Sequence, residues 1–247
     1  MNKYAKQYKE VLQKMMDEVM ETQMENIDRA ASLMADAIEK RNGVFGFAPM
    51  HAGMVIEELV YRAGGLAVFN HIVSPALQYD HVPIYRTTEF ERLPGHATIL
   101  LKNSKIKPGD VLLLHACAGR SAIVVEMAMK AKEMGVHVVG IYSSKYAGKM
   151  TSLDPSGTMM QDHCEILIDN CGVMGDACIH VGNMVQAVAP TSTVIGTYIA
   201  NTLVILICDK LLAKGIEPPV YRSANLDGGL EYNAKIMEEY KDLIHYI

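Results

Sequence analysis

The sequence predicts an α/β protein: a doubly wound, five-stranded parallel sheet flanked by helices. Three observations carry this class. About five short apolar runs lack strict alternation, which is how parallel strands buried on both faces read. Helical patterns separate these runs. Half of the 247 residues are apolar, enough for a sizeable core. Length alone demands no second domain, so a single domain over 1–247 is expected, with an N-terminal helical segment at 1–42 and a C-terminal arm at 214–247.

The elements follow in order. Tyr4, Tyr8, Leu12, Met15 and Val19, then Met20, Met24, Ile27, Ala31, Met34 and Ile38, recur at steps of three and four. That spacing predicts long helical structure to about Lys40 with one apolar stripe, ended by Asn42-Gly43. The stripe serves either the chain's own core or a second subunit, because so long a helix overhangs a small domain. Next come the run GVFGFA at 43–48, a helix over HAGMVIEELVYRAGG at 51–65, and the run LAVFNHIV at 66–73. A polar, irregular region leads through TEFERLPGHATILLKN to DVLLLHA at 110–116. The chain then turns at Ala116-Cys117-Ala118-Gly119 and leaves as an amphipathic helix, followed by GVHVVGIYS at 135–143 and CEILIDN at 164–170. The last long helix opens at APTSTVIG, where Pro190 and the Thr191 and Ser192 hydroxyls suit a helix start. Beyond it, Pro218-Pro219 and Gly228-Gly229 predict an extended arm over the surface before a final short helix.

Composition narrows the function. A net charge of -5 with no basic run gives no electrostatic footprint for nucleic acid or an anionic membrane. The charged N-terminus lacks the apolar core of a secretion signal, so a cytoplasmic location is expected. The longest apolar run, Thr193 to Ile207, is shorter than a bilayer span and contains Asn201, so it reads as a buried helix. Five cysteines, an odd number, argue for reduced thiols. Cys164, Cys171 and Cys178, with His163 and His180 alongside, match no compact zinc spacing, and neither metal nor cofactor is expected.

In a doubly wound sheet a ligand sits beyond the carboxyl ends of the strands, against helix N-termini. Three segments fall there: Ala48 to Gly53, Ala116 to Ser121, and Pro190 to Thr193. Gly119 and Arg120 open the second helix, where an arginine can pair with an anion; the ordinary alternative is a plain connection with a surface arginine. Glycine-rich dinucleotide and P-loop signatures are missing, as is a nucleophile elbow. Cys117 sits on a strand-to-helix turn, yet no base can be assigned to it. Of the adjacent pair Glu57-Glu58, one carboxylate must turn inward, where it becomes a candidate general base. The competing reading is a salt bridge from Glu58 to Arg62, four residues on.

The segments VFGFAPMHAGMVIEELVYRAGGLA, DVLLLHACAGRSAIVVEMAMKAKEMGVHVVGIYS, DNCGVMGDA, PTSTVIG and SANLDGGLEYN resemble the SIS (sugar isomerase) domain superfamily, and especially a bacterial phosphoheptose-isomerase-like branch. The similarity runs over nearly the whole chain. It implies a five-stranded parallel sheet between helices, assembly into dimers or tetramers, and a sugar-phosphate site at a subunit interface. In that superfamily the first loop is typically Gly-x-Gly-x-Ser and the second Ser-x-Ser-Gly. Here the first is Ala48-Pro49-Met50-His51-Ala52 and the second Ala116-Cys117-Ala118-Gly119. Alanine stands for serine at Ala52, Ala116 and Ala118, and Pro49 removes an amide donor. Each lost hydrogen bond to a charged group contributes about 1.5–3 kcal/mol, so phosphate binding should weaken. Arg120, Ser121, backbone amides and the Thr191-Ser192-Thr193 group remain to hold an anion.

Three functions compete. The resemblance implies an aldose–ketose isomerase in which Glu58, matching the second glutamate of the Glu-Glu-Leu motif, moves a proton and His51 assists at the oxygens. The stripped loops favour a non-catalytic sensor or regulatory subunit for a sugar derivative. A purely structural oligomer is the third reading; Asn225 and Asp227 either reach a neighbour's site or form an Asx-type turn.

Overall fold

Strand β1 (Val44–Phe47) lies at the heart of a parallel sheet whose strand order explains where a ligand crevice opens. Its partners are β2 (Phe69–His71) on one side and β3 (Val111–His115) on the other, followed outward by β4 (His137–Tyr142) and β5 (Ile166–Asp169). The order is β2-β1-β3-β4-β5, and every pairing is parallel. The computed structural model describes residues 2–247.

The apolar runs do alternate, but between two cores. Val44, Val111, Leu113, Val139 and Ile141 join one buried cluster, while Phe45, Phe47, Leu112, Leu114 and Val138 join the other. Successive side chains leave opposite faces, so a strand covered on both sides needs apolar residues at every position. The first face is covered by helices α1 (Lys3–Thr22), α2 (Met24–Glu39) and α8 (Ser192–Ala213), the second by α5 (His96–Asn103) and α6 (Ala122–Glu133). Short helices α3 (Gly53–Glu57), α4 (Arg86–Glu91) and α7 (Ser144–Ala147) fill the connections, and α9 (Gly229–Glu239) lies in the C-terminal arm.

Four segments differ from the sequence expectation. The N-terminal helix is two helices bent at Gln23, whose side-chain oxygen accepts the Asp169 amide at 3.0 Å, while Thr22 Oγ1 bonds back to Glu18 O. The helix expected over 51–65 stops at Glu57, because Gly64, Gly65 and Leu66 pair instead with the C-terminal arm at Val220 and Tyr221. The region read as irregular holds α4 and α5. Between β5 and α8 an unexpected hairpin forms from β6 (Ala177–Ile179) and β7 (Val188–Pro190).

Helix α8 spans 22 residues, longer than the apolar run that marks it, and by length and composition alone it could cross a membrane. Ile195, Ile199, Leu203, Ile207 and Leu211 are instead packed into the first core, with Ile205 and Leu212 left exposed. The arm is likewise more than a surface strap. Tyr221, Ile236, Tyr240, Leu243 and Ile244 are buried, and Asn70 at the sheet edge ties the arm down. Its Nδ2 donates to Leu243 O at 2.9 Å and its Oδ1 accepts His245 N at 2.8 Å. Asn225 and Asp227 are exposed, and the Asn225 amide bonds the Ser223 hydroxyl, so Ser223 holds this turn.

Asn70 also donates to Val44 O and Val68 O from a site only 2% exposed. Replacing it strands several buried backbone groups at once. Asn70→Ala should therefore lower unfolding free energy by about 3 kcal/mol in a denaturant titration, and should expose the C-terminal arm to proteolysis first.

Candidate crevice at the carboxyl edge of the sheet

The chain reverses its winding direction between β1 and β3, and the crevice outside that switch point is where doubly wound sheets hold ligands. The loop after β1 turns sharply at Met50, whose φ is 54°, and presents the His51 ring to solvent. His51 lies against Tyr79, with ring centroids 4.6 Å apart. A cavity of about 330 Å³ opens beside this pair, over the ends of β1 and β2. Its polar lining comes from Glu57, His71, Ser74, Gln78, Tyr79 and Asp80, with Phe47, Met50 and Met54 among the apolar walls. No lysine or arginine lines it among the described residues.

The adjacent glutamates part company. Glu57 lines the cavity. The Glu58 carboxylate pairs with Arg62 and accepts Asn201 Nδ2 at 3.3 Å, on the α8 side. The salt bridge that competed with the base reading is thus formed, and Glu58 does not line the cavity with His51's partner Tyr79.

The second loop keeps its cradle shape. Gly119 has φ 61°, which favours glycine, and a Cβ there would fall 2.5 Å from the end of the Gln161 side chain, which would have to move aside. Ala116 is nearly buried, and the Ala116 and Cys117 backbones continue the ladder to β4. Segment 149–163 closes over the rest: Leu153 N bonds Arg120 O at 2.8 Å and Met160 N bonds Gly119 O at 2.9 Å. The Arg120 guanidinium follows that segment, with Nη1 3.3 Å from Met150 Sδ and a buried Nε that has no partner. Ala118 is half-buried beside it. Ser121 stands at the start of α6 but makes no capping bond with its side chain.

At the third segment the structure departs most from expectation. The Thr191 and Ser192 donors do hold an anion, and that anion is Asp176. Its Oδ1 accepts the amides of Thr191 and Ser192 at 2.9 and 2.8 Å and the Thr191 hydroxyl at 3.0 Å, while Oδ2 accepts the Ser192 hydroxyl at 2.6 Å. A carboxylate at a helix start answers unpaired amides and the helix dipole together. Thr193 is half-buried in the first turn of α8 and outside this network.

Cys117 faces Asp176, Ser192 and Asn170. Burial first, then the Asp176 charge, pushes its thiol up, so the neutral form prevails and the turn does not activate it as a nucleophile. Among the described residues no three His, Cys, Asp or Glu side chains converge to hold a metal ion. The remaining titratable groups were not singled out in the sequence. His115 is fully buried, its Nδ1 donating to Ala52 O at 3.1 Å while Nε2 has no partner. Burial pushes Glu91 up although the Ser121 hydroxyl beside it pulls the other way, and burial also raises Tyr79. Desolvation lowers His71 from 6.5 to about 4, which keeps it neutral near neutral pH.

Fold and crevice together define a class: a doubly wound parallel α/β protein whose winding switches between β1 and β3, with a cavity over the neighbouring ends of β1 and β2. Residues 7–143 match the family described as SIS domain, more than half of the chain, and the chain belongs to that family. It is 39% identical over 244 residues to the UPF0309 protein of Shouchella clausii, covering 99% of both chains. To the UPF0309 protein of Streptomyces coelicolor it is 35% identical over 246 residues, 99% of this chain and 98% of that one. Among solved structures, a phosphoheptose isomerase from Francisella tularensis superposes with a TM-score of 0.53 at 16% identity, covering 84% of this chain and 98% of that one. The sugar isomerase domain of an RpiR transcription factor from Sphaerobacter thermophilus gives 0.51 at 13% identity, with 97% and 99% covered. One fold thus serves an enzyme and a regulator, and at such identities the likeness is one of fold.

The low His71 value has a consequence for stability. A histidine whose folded pKa lies below its unfolded one stabilises the protein above pH 6.5, and that contribution is lost as pH falls towards 4. Between pH 7 and 4.5 His71 should account for about 2 kcal/mol of lost stability, at 1.36 kcal/mol per pKa unit. In urea titrations at the two pH values, His71→Asn should shrink the acid loss by that amount; an unchanged loss places the acid sensitivity elsewhere.

Proposed function

We propose that this SIS-domain protein binds a sugar derivative in the cavity over β1 and β2, and acts as a sensor or regulatory subunit. One observation carries the reading. The cavity is lined by hydroxyl-reading groups, Glu57, His71, Gln78 and Tyr79, with the Ser74 hydroxyl bonded to His96 behind them, while the motif carboxylate Glu58 is engaged outside it by Arg62 and Asn201. Carboxylates, imidazoles and hydroxyls that converge on a pocket with an apolar wall suit a polyol, whose rim donates and accepts hydrogen bonds around an apolar ring face. The altered loops support the same reading, because they lack hydroxyls that would hold a substrate for turnover.

The isomerase reading rests on a separate observation. Glu58, Arg62 and Asn201 form a polar cluster on the side where Ile205, one turn further along α8, is exposed. A second copy packed on that face would enclose the cluster and complete a site in which Glu58 moves the proton.

The two readings separate in one experiment. Protein incubated for long periods with the sugars that raise its melting temperature should leave them chemically unchanged by NMR, and Glu58→Gln should be stabilised as much as the unaltered protein. Interconversion of aldose and ketose that Glu58→Gln abolishes would establish the isomerase instead.

A further inference from the structure

A second cavity, of about 320 Å³, lies along the same edge strand and adjoins the first. His71 at the end of β2, and Ile72 and Val73 just beyond it, line both. Three residues of chain span at most about 7 Å, so the two cavities meet over this stretch. Strand β1 repeats the arrangement. Phe47 lines the first cavity and Phe45 the second, two residues apart on one face of the sheet and in one core cluster. Each volume alone lies at the lower end of the range for ligand pockets, about 300–1,000 Å³, and the two lobes side by side fall well inside it.

The lobes differ in chemistry. In the second, the polar side chains are largely spent within the protein. The Asn70 amide is taken up by backbone groups of β1, β2 and the arm. The Tyr246 hydroxyl donates to Ala67 O, Ser104 Oγ donates to Leu101 O while accepting the Ile106 amide, and Asn103 Nδ2 donates to Ile99 O. What remains is an apolar wall of Phe45, Ile72, Val73, Ile99 and Leu100, on which Val73 and Ile99 are exposed. The His245 ring stacks on Phe45, with centroids 5.6 Å apart and planes 19° from parallel, and gives the lobe an aromatic side.

Charge sharpens the contrast. Glu57 and Asp80 line the first cavity, whereas no carboxylate lines the second, among the described residues. Lys105 lines the second and forms no ion pair among the described residues. Burial lowers His71 to about 4 and, against the pull of Asp110, lowers His245 as well. Both rings are then neutral at pH 7, which leaves Lys105 as the lobe's one cation among the described residues. A single lysine balances a single negative charge, so an apolar body that ends in a carboxylate satisfies wall and lysine together.

We infer that the second lobe holds an apolar, aromatic-sized group bearing a carboxylate, and that the ligand of the paired cavities is a sugar derivative carrying such a group. This rests on the sugar-binding reading above and specifies the derivative.

The test is saturation-transfer difference NMR at pH 7 and fixed ionic strength, with benzoate and its neutral counterpart benzyl alcohol as probes. Benzoate should bind saturably, in the millimolar range of so small a ligand, and several-fold more tightly than benzyl alcohol. Ile99→Asp, at an exposed position, should abolish benzoate binding, and Lys105→Met should reduce it to the level of benzyl alcohol; circular dichroism checks that both variants fold. With a sugar that raises the melting temperature also present, interligand NOEs should join the benzoate ring to the sugar. No saturable benzoate binding, or binding that either folded variant leaves unchanged, overturns the inference, while the sugar-binding reading stands on its own melting experiment. Benzoate bound without NOEs to a bound sugar overturns the joined ligand. If no sugar raises the melting temperature, the sugar-binding reading and the joined ligand fail together, and benzoate binding that both variants remove still establishes the second lobe.

Discussion

Every helix begins with amides that have no partner inside the helix, and at four helix starts among the described residues, α8 at the crevice included, this chain answers them with its own side chains. Asn2 accepts the Tyr4 amide at the start of α1, and Ser143 accepts the Tyr146 amide at the start of α7. Glu126, buried in α6, reaches across to the Gly95 and Thr98 amides at the start of α5. Asp176 does the same for α8. In a phosphate-binding protein some of these amides are left for the ligand. Here the two helix starts at the crevice differ: the α8 amides are taken by Asp176, whereas α6 receives no side-chain cap.

The same economy holds the sheet edges. β2 is short and would be an open edge, but Asn70 and the returning arm cover it, with Tyr246 donating to Ala67 O at 2.7 Å. The arm also ends the helix after β1 early, because Gly64 and Gly65 pair with Tyr221 rather than continue a helical turn. Stopping α3 at Glu57 fixes which glutamate reaches the cavity. Tertiary pairing nearly 160 residues away thus decides the local chemistry of the Glu57-Glu58 pair.

Much of the fold was legible in the sequence because its signal is local. Strands buried on both faces announce themselves as apolar runs, and all five runs became strands of the sheet. Gly119 was legible for the same reason, since turn chemistry depends on adjacent residues, and so was the position at which α8 begins, although the Thr191 and Ser192 hydroxyls donate to Asp176 and do not cap the helix. So was the Glu58–Arg62 pair, by its spacing, although spacing alone did not decide between salt bridge and base. Partners distant in sequence were illegible. Nothing in a single chain connects Asp176 with Thr191, Glu91 with Ser121, or Tyr79 with His51. The hairpin of β6 and β7 was missed because its strands are three residues each, too short for a period to show.

These hidden partners bear on catalysis as well as on recognition. Abstracting a proton next to a carbonyl needs binding energy drawn from parts of the substrate that do not react, and a phosphate gripped by several charged hydrogen bonds is a large source of it. Loops in which Ala52, Ala116 and Ala118 carry no hydroxyl, and a helix start in which Asp176 already sits, remove that source. Neutral hydrogen bonds to sugar hydroxyls contribute only about 0.5–1.5 kcal/mol each, because water competes for the same groups. On the sugar-binding reading proposed here, the arrangement of Gln78, Tyr79, His71 and Glu57 tells one sugar from another, with little in reserve for distorting what is bound. On the same reading, the loss of loop hydroxyls and the withdrawal of Glu58 into an ion pair are two consequences of one shift, from turning a sugar over to recognising it.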